Sequence, residues 1–310
     1  MNKGFKVLLT GGSGMVGMNL KDCVPNDIEL LAPSSKELNL LSKSAIKAYL
    51  LREKPSIIIH AAGIVGGIRA NMNYPVRFLS ANTEMSNNLF GQAFESGVPY
   101  ILNLGSSCMY PVEAKNPLKE ELLLSDYLEP TNEGYAIAKI FGQRLCSYIN
   151  RERGNTNYKT LIPCNLFGKY DKFDSEWGHM IPAVIKKIHE AKIEESETVE
   201  IWGDGEARRE FMLAEDLAKY IWKLVKNIDA VPEVMNVGLG FDFSINEYYR
   251  AISKVIGYKG GFTHDLSKPV GMRKKLVDIH KMNGYRELNS TPLADGIKIT
   301  YKYYLNTYEH

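Results

Sequence analysis

Near the start of the chain, the apolar run Lys6-Val-Leu-Leu-Thr10 breaks into Gly11-Gly12-Ser13-Gly14-Met15-Val16-Gly17, and an amphipathic stretch begins near Met18. A buried strand, a glycine turn and a helix, in that order, admit few folds. The glycines permit a tight turn and a close backbone approach. The helix start then presents free amides and the positive end of its dipole. In this context the turn reads as a dinucleotide fingerprint that faces a pyrophosphate. Taken alone, such a turn is common, and an ordinary surface turn stands beside the functional reading.

The rest of the first half alternates in the same way. Val7–Thr10, Ile28–Ala32, Ser56–Ala61, Tyr100–Gly105 and Thr160–Ile162 have the composition of buried strands. Helical stretches separate them near Gly14–Asp22, Lys43–Glu53, Val76–Ser96 and Asn132–Arg153. Strands alternating with helices imply βαβ units, and hence an α/β fold with a doubly wound parallel sheet of Rossmann type. Val234–Gly238 is expected to return to that sheet. Residues 1–162 and 216–239 would then form the dinucleotide-binding domain. Residues 163–215 and 240–310 would form a smaller substrate lobe over the carboxyl ends of the strands, where ligands of such sheets bind.

Composition narrows the function. At 310 residues the chain can bury a sizeable core, and a formal net charge of +2 provides no field for nucleic acid or an anionic membrane. The longest apolar stretch, Ile57–Ile68, carries His60 and three glycines and is too short to span a bilayer. Cys23, Cys108, Cys146 and Cys164 show no metal-ligand spacing, and read as reduced thiols of a cytoplasmic protein.

Ser106-Ser107-Cys108 precedes Tyr135-Ala-Ile-Ala-Lys139 by about one strand-loop-helix unit. A tyrosine and a lysine four apart share one helix face. An ammonium there stabilises a tyrosinate, so the phenol is expected to trade protons near neutrality. A serine hydroxyl beside it can hold a ketone oxygen. Behind a dinucleotide turn, this is an acid–base apparatus for hydride transfer to a carbonyl. A surface tyrosine and a solvated lysine are the bland alternatives for each residue in isolation.

Together these residues resemble the extended short-chain dehydrogenase/reductases, and within them the GDP-L-fucose synthases (GDP-4-keto-6-deoxymannose epimerase-reductases). The likeness runs along nearly the whole chain. It includes Glu37-Leu-Asn-Leu-Leu41, Val65-Gly-Gly-Ile68, Gly105-Ser-Ser-Cys-Met-Tyr-Pro111, Leu128-Glu-Pro-Thr-Asn-Glu133, His179-Met-Ile-Pro182, Arg209-Glu-Phe211 and Lys268-Pro269. The resemblance implies NADPH-dependent reduction of a GDP-linked 4-keto sugar. Tyr135 would donate the proton, Lys139 would lower its pKa and hold the nicotinamide ribose, and Ser107 would orient the ketone. Cys108 and His179 would be the base and acid of epimerisation at carbons 3 and 5. Cofactor contacts are implied at Gly11, Gly14, Met15, Val16, Gly17, Ser34, Ser35, Lys36, Leu40, Ala61, Ala62, Tyr135, Lys139 and His179. Substrate contacts are implied at Ser107, Cys108, Asn165, Lys187, Trp202, Arg209 and Lys275, with Arg208 and Lys274 reinforcing a diphosphate clamp. No metal is implied.

An NAD site normally carries an acid at the end of the second strand, where this chain reads Ala32-Pro33-Ser34-Ser35-Lys36. That absence favours NADP, although Ser13 and Ser35 stand where the family usually carries arginines. Gly134, Phe167, the loop 169–178 and the segment 268–275 also depart from the family pattern. These loops shape the sugar pocket, so a GDP-4-keto-heptose stands beside a GDP-4-keto-6-deoxyhexose as substrate. A nucleotide-sugar 4-epimerase or dehydratase that retains NAD, and a non-catalytic NADP-binding scaffold, are the competing readings. A two-fold homodimer is expected through the helices 76–96 and 132–153, with Met85, Leu89, Phe90, Ile140, Phe141 and Leu145 as its apolar surface.

Overall fold

The computed structural model describes residues 5–155, 157–174, 177–268, 270–285 and 287–309. Pro269, of the Lys268-Pro269 motif, lies outside the described residues. The first half runs β1 (Lys6–Thr10), α1 (Met15–Asp22), β2 (Glu29–Leu31), α2 (Lys43–Glu53), β3 (Ile57–His60), α3 (Ile68–Asn73), α4 (Pro75–Glu95), β4 (Tyr100–Leu104), α5 (Glu133–Arg153) and β5 (Tyr158–Pro163). It continues with β6 (Asn165–Phe167), α6 (Met180–Ile193), β7 (Thr198–Trp202), β8 (Arg208–Arg209), β9 (Phe211–Leu213), α7 (Ala214–Val225) and β10 (Val234–Val237). The last elements are β11 (Phe243–Ser244), α8 (Ile245–Ile256), β12 (Gly261–Asp265), β13 (Lys274–Lys275), α9 (His280–Asn283) and α10 (Leu293–Tyr308).

Six strands form the central sheet in the order β2-β1-β3-β4-β5-β10, and every pairing is parallel. The chain moves from β1 to β2 on one side, then returns to place β3 on the other side of β1. The strand order therefore reverses between β1 and β3, which opens a crevice at their carboxyl ends. β3 and β5 are buried along their whole length, as expected of parallel strands covered on both faces. One core cluster joins Leu9, Ile59 and Leu161 to α7 and β10, and the cluster on the opposite face joins Leu8 and Ile58 to α2, α4 and α5. A third cluster gathers Phe167, Ile181, Ile185, Ile201, Tyr248, Ile252 and Tyr304 from β6, α6, β7, α8 and α10. Val277 and Met282, late in the chain, pack instead in the first cluster beside β10.

Several expectations need correction. β5 begins at Tyr158 rather than Thr160, because Lys159, only 1% exposed, donates its ammonium to the carbonyls of Val231 and Asp229. β2 is shorter than expected, since its ladder with β1 spans only Glu29 to Leu31. Leu89, Phe90 and Ile140 are buried, on the faces of α4 and α5 turned to the core, and so add nothing to an exposed patch. Met85 and Leu145 also pack partly against that core, and Phe141 is half-buried. No helix among the described residues is long and apolar enough to cross a membrane.

The glycine turn is sterically obligatory. A Cβ on Gly17 would sit 2.1 Å from the Gly11 carbonyl oxygen, whereas one on Gly91, inside α4, would meet nothing within 4 Å. Gly17→Ala should therefore destabilise the fold by about 1–3 kcal/mol. Gly91→Ala should leave stability unchanged or raise it by about 0.5–1 kcal/mol. Denaturant melts of the two variants check this, and equal stabilities would refute the steric account.

Candidate active site

The crevice between β1 and β3 is built from backbone. Gly11 adopts φ +79°, and a Cβ there would lie 2.5 Å from the Ala62 nitrogen and 2.6 Å from the Ala61 carbonyl carbon. Gly14 caps α1 without a side chain, and its amide donates to the Gly11 carbonyl at 3.0 Å. Helix starts leave their first amides without intrahelical partners. Those of α1, at Met15, Val16 and Gly17, follow directly on this turn. The cradle is one that added Cβ atoms would fill, so the residues present fit a dinucleotide pyrophosphate. An adjoining cavity of about 550 Å³ is lined by Gly63, Ile64, Val65, Arg77, Lys172, Asp174 and Trp177. Beneath it, His60 is buried at the end of β3. Its Nδ1 lies 2.8 Å from Thr10 Oγ1, and burial, with the Lys139 charge adding, pushes its pKa down to about 3. His60 is thus neutral at physiological pH.

The end of β2 differs from expectation. Glu37 folds back so that its Oε2 accepts from both the Ser34 amide and the Ser34 hydroxyl, each at 2.8 Å. These bonds hold the Glu37 carboxyl below the usual range. A carboxylate therefore does stand at this turn, and it occupies the hydroxyl of Ser34, one of the residues expected to contact the cofactor. Ser35 and Lys36 remain exposed. Leu40 is buried in the core, and its carbonyl accepts from Asn88. The sequence shows Glu37 as the first acid after the strand, but not its contact with Ser34, a turn closure of the S-x-x-E type visible only as a capping pattern.

Tyr135 and Lys139 share one face of α5, with the ammonium 5.7 Å from the tyrosine ring centroid. Lys139 is buried and donates to the Leu104 carbonyl at 2.9 Å, at the end of β4, and burial lowers its pKa to about 8. Burial raises the Tyr135 phenol, with Cys108 adding to the rise and the Ser106 hydroxyl opposing it. Without cofactor the phenol is held protonated, rather than trading protons near neutrality. Ser107 is 2% exposed, in the turn that follows β4. The hydroxyl bonded to the phenol belongs to its neighbour Ser106, which sequence reasoning passed over.

Cys108 is half-buried, and two nitrogens converge on its sulfur: Asn132 Nδ2 at 3.6 Å and Lys275 Nζ at 4.0 Å. Lys275 is the parallel-bridge partner of Arg209. Burial lowers the pKa of Arg209, while nearby Glu129 and Cys108 oppose that shift. Arg209 also donates to the carbonyls of Arg208 and Val270. His179 begins α6, and its Nδ1 lies 3.7 Å from Oδ1 of the buried Asp171. Asn132 and Asp171 were not anticipated, since neither belongs to a spacing pattern with the residue it serves.

The cations expected at a diphosphate have different partners in the structure. Arg209 and Lys275 gather at Cys108, whereas Arg208 and Lys274 are paired with Asp242. Lys187 donates to the Glu200 carbonyl at 2.6 Å, and burial depresses its pKa. Trp202 carries two cations at its ring, Arg69 at 4.7 Å and Lys268 at 5.9 Å. Asn165 donates to the Glu210 carbonyl at 3.0 Å, which fixes β6 beside β9.

Comparison with known proteins agrees with this geometry. Residues 7–238 match the family described as NAD dependent epimerase/dehydratase. The chain is 55% identical to a GDP-L-colitose synthase of Yersinia pseudotuberculosis, over 97% of this chain and 98% of that protein. It is 48% identical to a GDP-L-fucose synthase of Azorhizobium caulinodans, over 98% of each. A GDP-mannoheptose C4 reductase from Campylobacter jejuni with NADP bound superposes with a TM-score of 0.88, at 29% identity, over 98% of this chain and 99% of that one.

The buried Lys139 makes a thermodynamic prediction. Its pKa falls from 10.5 to about 8 on folding, so between those values the unfolded chain binds more protons than the folded one. Stability from this group must therefore rise with pH across that window. Relative to Lys139→Met, the wild type should gain on the order of 3 kcal/mol between pH 7 and pH 10.5. Parallel melts of both proteins across that range measure the difference, and a flat difference would contradict the burial.

Proposed function

The chain belongs to the NAD dependent epimerase/dehydratase family, within its group of GDP-L-fucose and GDP-L-colitose synthases, and we propose that it is an NADPH-dependent reductase of a GDP-linked 4-keto sugar. The observation that carries this reading is the placement of Tyr135, with Lys139 anchored to the Leu104 carbonyl, beside the turn that bears Ser107 and Cys108. NADP, held by the glycine cradle and by Lys139, supplies the hydride when bound in reduced form. Two lobes meet at this site in the reading, one from residues 1–162 and 216–239 and the other from the remainder.

The protein's own part in reduction is to position the ketone and deliver a proton. A phenol kept protonated by burial is ready to donate to the alkoxide that forms at carbon 4. The Lys139 ammonium then faces the resulting tyrosinate and stabilises it. Ser107 and Ser106 offer hydroxyls to the carbonyl oxygen and the phenol. Cys108 and His179 are the base and acid of epimerisation next to the ketone. Asn132 and Lys275 direct their nitrogens at the Cys108 sulfur, and the Asp171 carboxylate stands beside the ring of His179. The sugar is a 6-deoxyhexose or a heptose, and the drifted loop 169–178 is where the two would be told apart.

Tyr135→Phe should keep NADPH affinity while lowering turnover of a GDP-4-keto sugar by about a hundredfold or more. Binding by fluorescence titration and rates by NADPH oxidation test both halves, and near wild-type turnover would remove Tyr135 from the chemistry. Epimerisation is read separately. In deuterium oxide the product should carry solvent deuterium at carbon 3 or 5, and this label should be lost in Cys108→Ser. Reduction without any label in the wild type would leave this protein a reductase only.

A further inference from the structure

We propose that Arg69 binds the diphosphate of the nucleotide-sugar substrate, reaching it from the segment that follows the wall of the cofactor crevice. The proposal rests on the reading above only in taking the substrate to carry a nucleoside diphosphate. Arg69 is exposed near the start of α3, just beyond the cavity-lining residues Gly63, Ile64 and Val65. Its guanidinium lies 4.7 Å from the ring centroid of Trp202 on β7, and Lys268 Nζ lies 5.9 Å from the same ring. Lys187, on α6, donates to the carbonyl of Glu200 two residues before Trp202. Its ammonium feels the Arg69 charge as well as its own burial, against the opposing Glu200.

Two cations from separate segments thus face one indole, and a third, Lys187, bonds the carbonyl of Glu200 two residues before it, within electrostatic reach of Arg69. Among the described residues, only Lys268 has a carboxylate in ion-pair contact, Asp265 at 3.6 Å. Gathered like charges repel one another, and a diphosphate supplies the missing counter-charge. A guanidinium can present its fork of N–H donors to phosphate oxygens while its face stays on the indole. A neutral nucleoside offers nothing to this cluster, and a monophosphate offers less. The consequence is geometric as well as electrostatic. A diphosphate held here joins α3, on the cofactor side, to α6 and β7, whose residues Ile181, Ile185 and Ile201 belong to the third core cluster.

Titration calorimetry of the full chain with NADPH bound, using GDP, GMP and guanosine as probes, decides the matter. Arg69→Ala should weaken GDP binding about tenfold or more, weaken GMP less, and leave guanosine and NADPH unchanged. Arg69→Lys should recover part of the loss by restoring the charge. Unchanged GDP affinity in Arg69→Ala overturns the proposal, and so do equal losses for GDP and guanosine, which would mean that Arg69 reads the base. If the wild type binds UDP or ADP but no GDP, the guanine part of the functional reading fails. The same variants titrated with that nucleotide then still support or overturn the role of Arg69. Failure of the wild type to bind any nucleoside diphosphate overturns it as well.

Discussion

The hydrogen bond from the Lys139 ammonium to the Leu104 carbonyl sets the geometry on which the site depends. It joins the first turns of α5 to the carboxyl end of β4, just before the turn that carries Ser106, Ser107 and Cys108. Among the described residues no carboxylate pairs with this lysine, so its charge is costly where it stands, and its pKa is depressed accordingly. A cation buried without a counter-ion stabilises a new negative charge nearby more strongly than a solvated one does. In the reduction proposed above, the charge that forms nearest to it is the tyrosinate of Tyr135. Burial, with the Lys139 charge adding, likewise holds His60 at the end of β3 neutral, so it adds no competing cation.

Backbone requirements were the most legible part of the sequence. The glycine turn could be read because Gly11 and Gly17 touch backbone so closely that no side chain fits, a constraint local in the chain. The strands could be read because both faces of the sheet are covered, leaving nearly continuous apolar runs. Lys159 hid the start of β5 because its charge is satisfied by carbonyls distant in sequence, which composition cannot signal. Leu89, Phe90 and Ile140 show the converse problem. An amphipathic helix declares an apolar face, but not whether that face meets its own sheet or another molecule.

Side-chain partners across elements were the least legible. Asn132 reaches Cys108 from the loop before α5, and Asp171 approaches His179 from the loop after β6. Arg69 meets Trp202 across more than a hundred residues of chain. Each contact exists because the sheet's topology delivers separate loops to its carboxyl edge, and no spacing rule encodes that delivery. Glu37 is an instructive intermediate case. Its contact with Ser34 is local, yet a search for an acid at the strand end stops one turn short of it.

The cations around the phenol and the thiol fall into two separate groups. Lys139 serves the phenol from α5, whereas Lys275 and Arg209, side by side on a parallel bridge, stand at the thiol. The two charge systems come from different layers of the molecule, so a change in one need not retune the other. Cys108 is nevertheless coupled to Tyr135, because negative charge on the sulfur raises the phenol's pKa. The Ser106 hydroxyl, from the same turn, opposes that rise. That coupling is built into the short turn after β4, which carries Ser106 and Cys108 two residues apart and brings both to bear on one phenol.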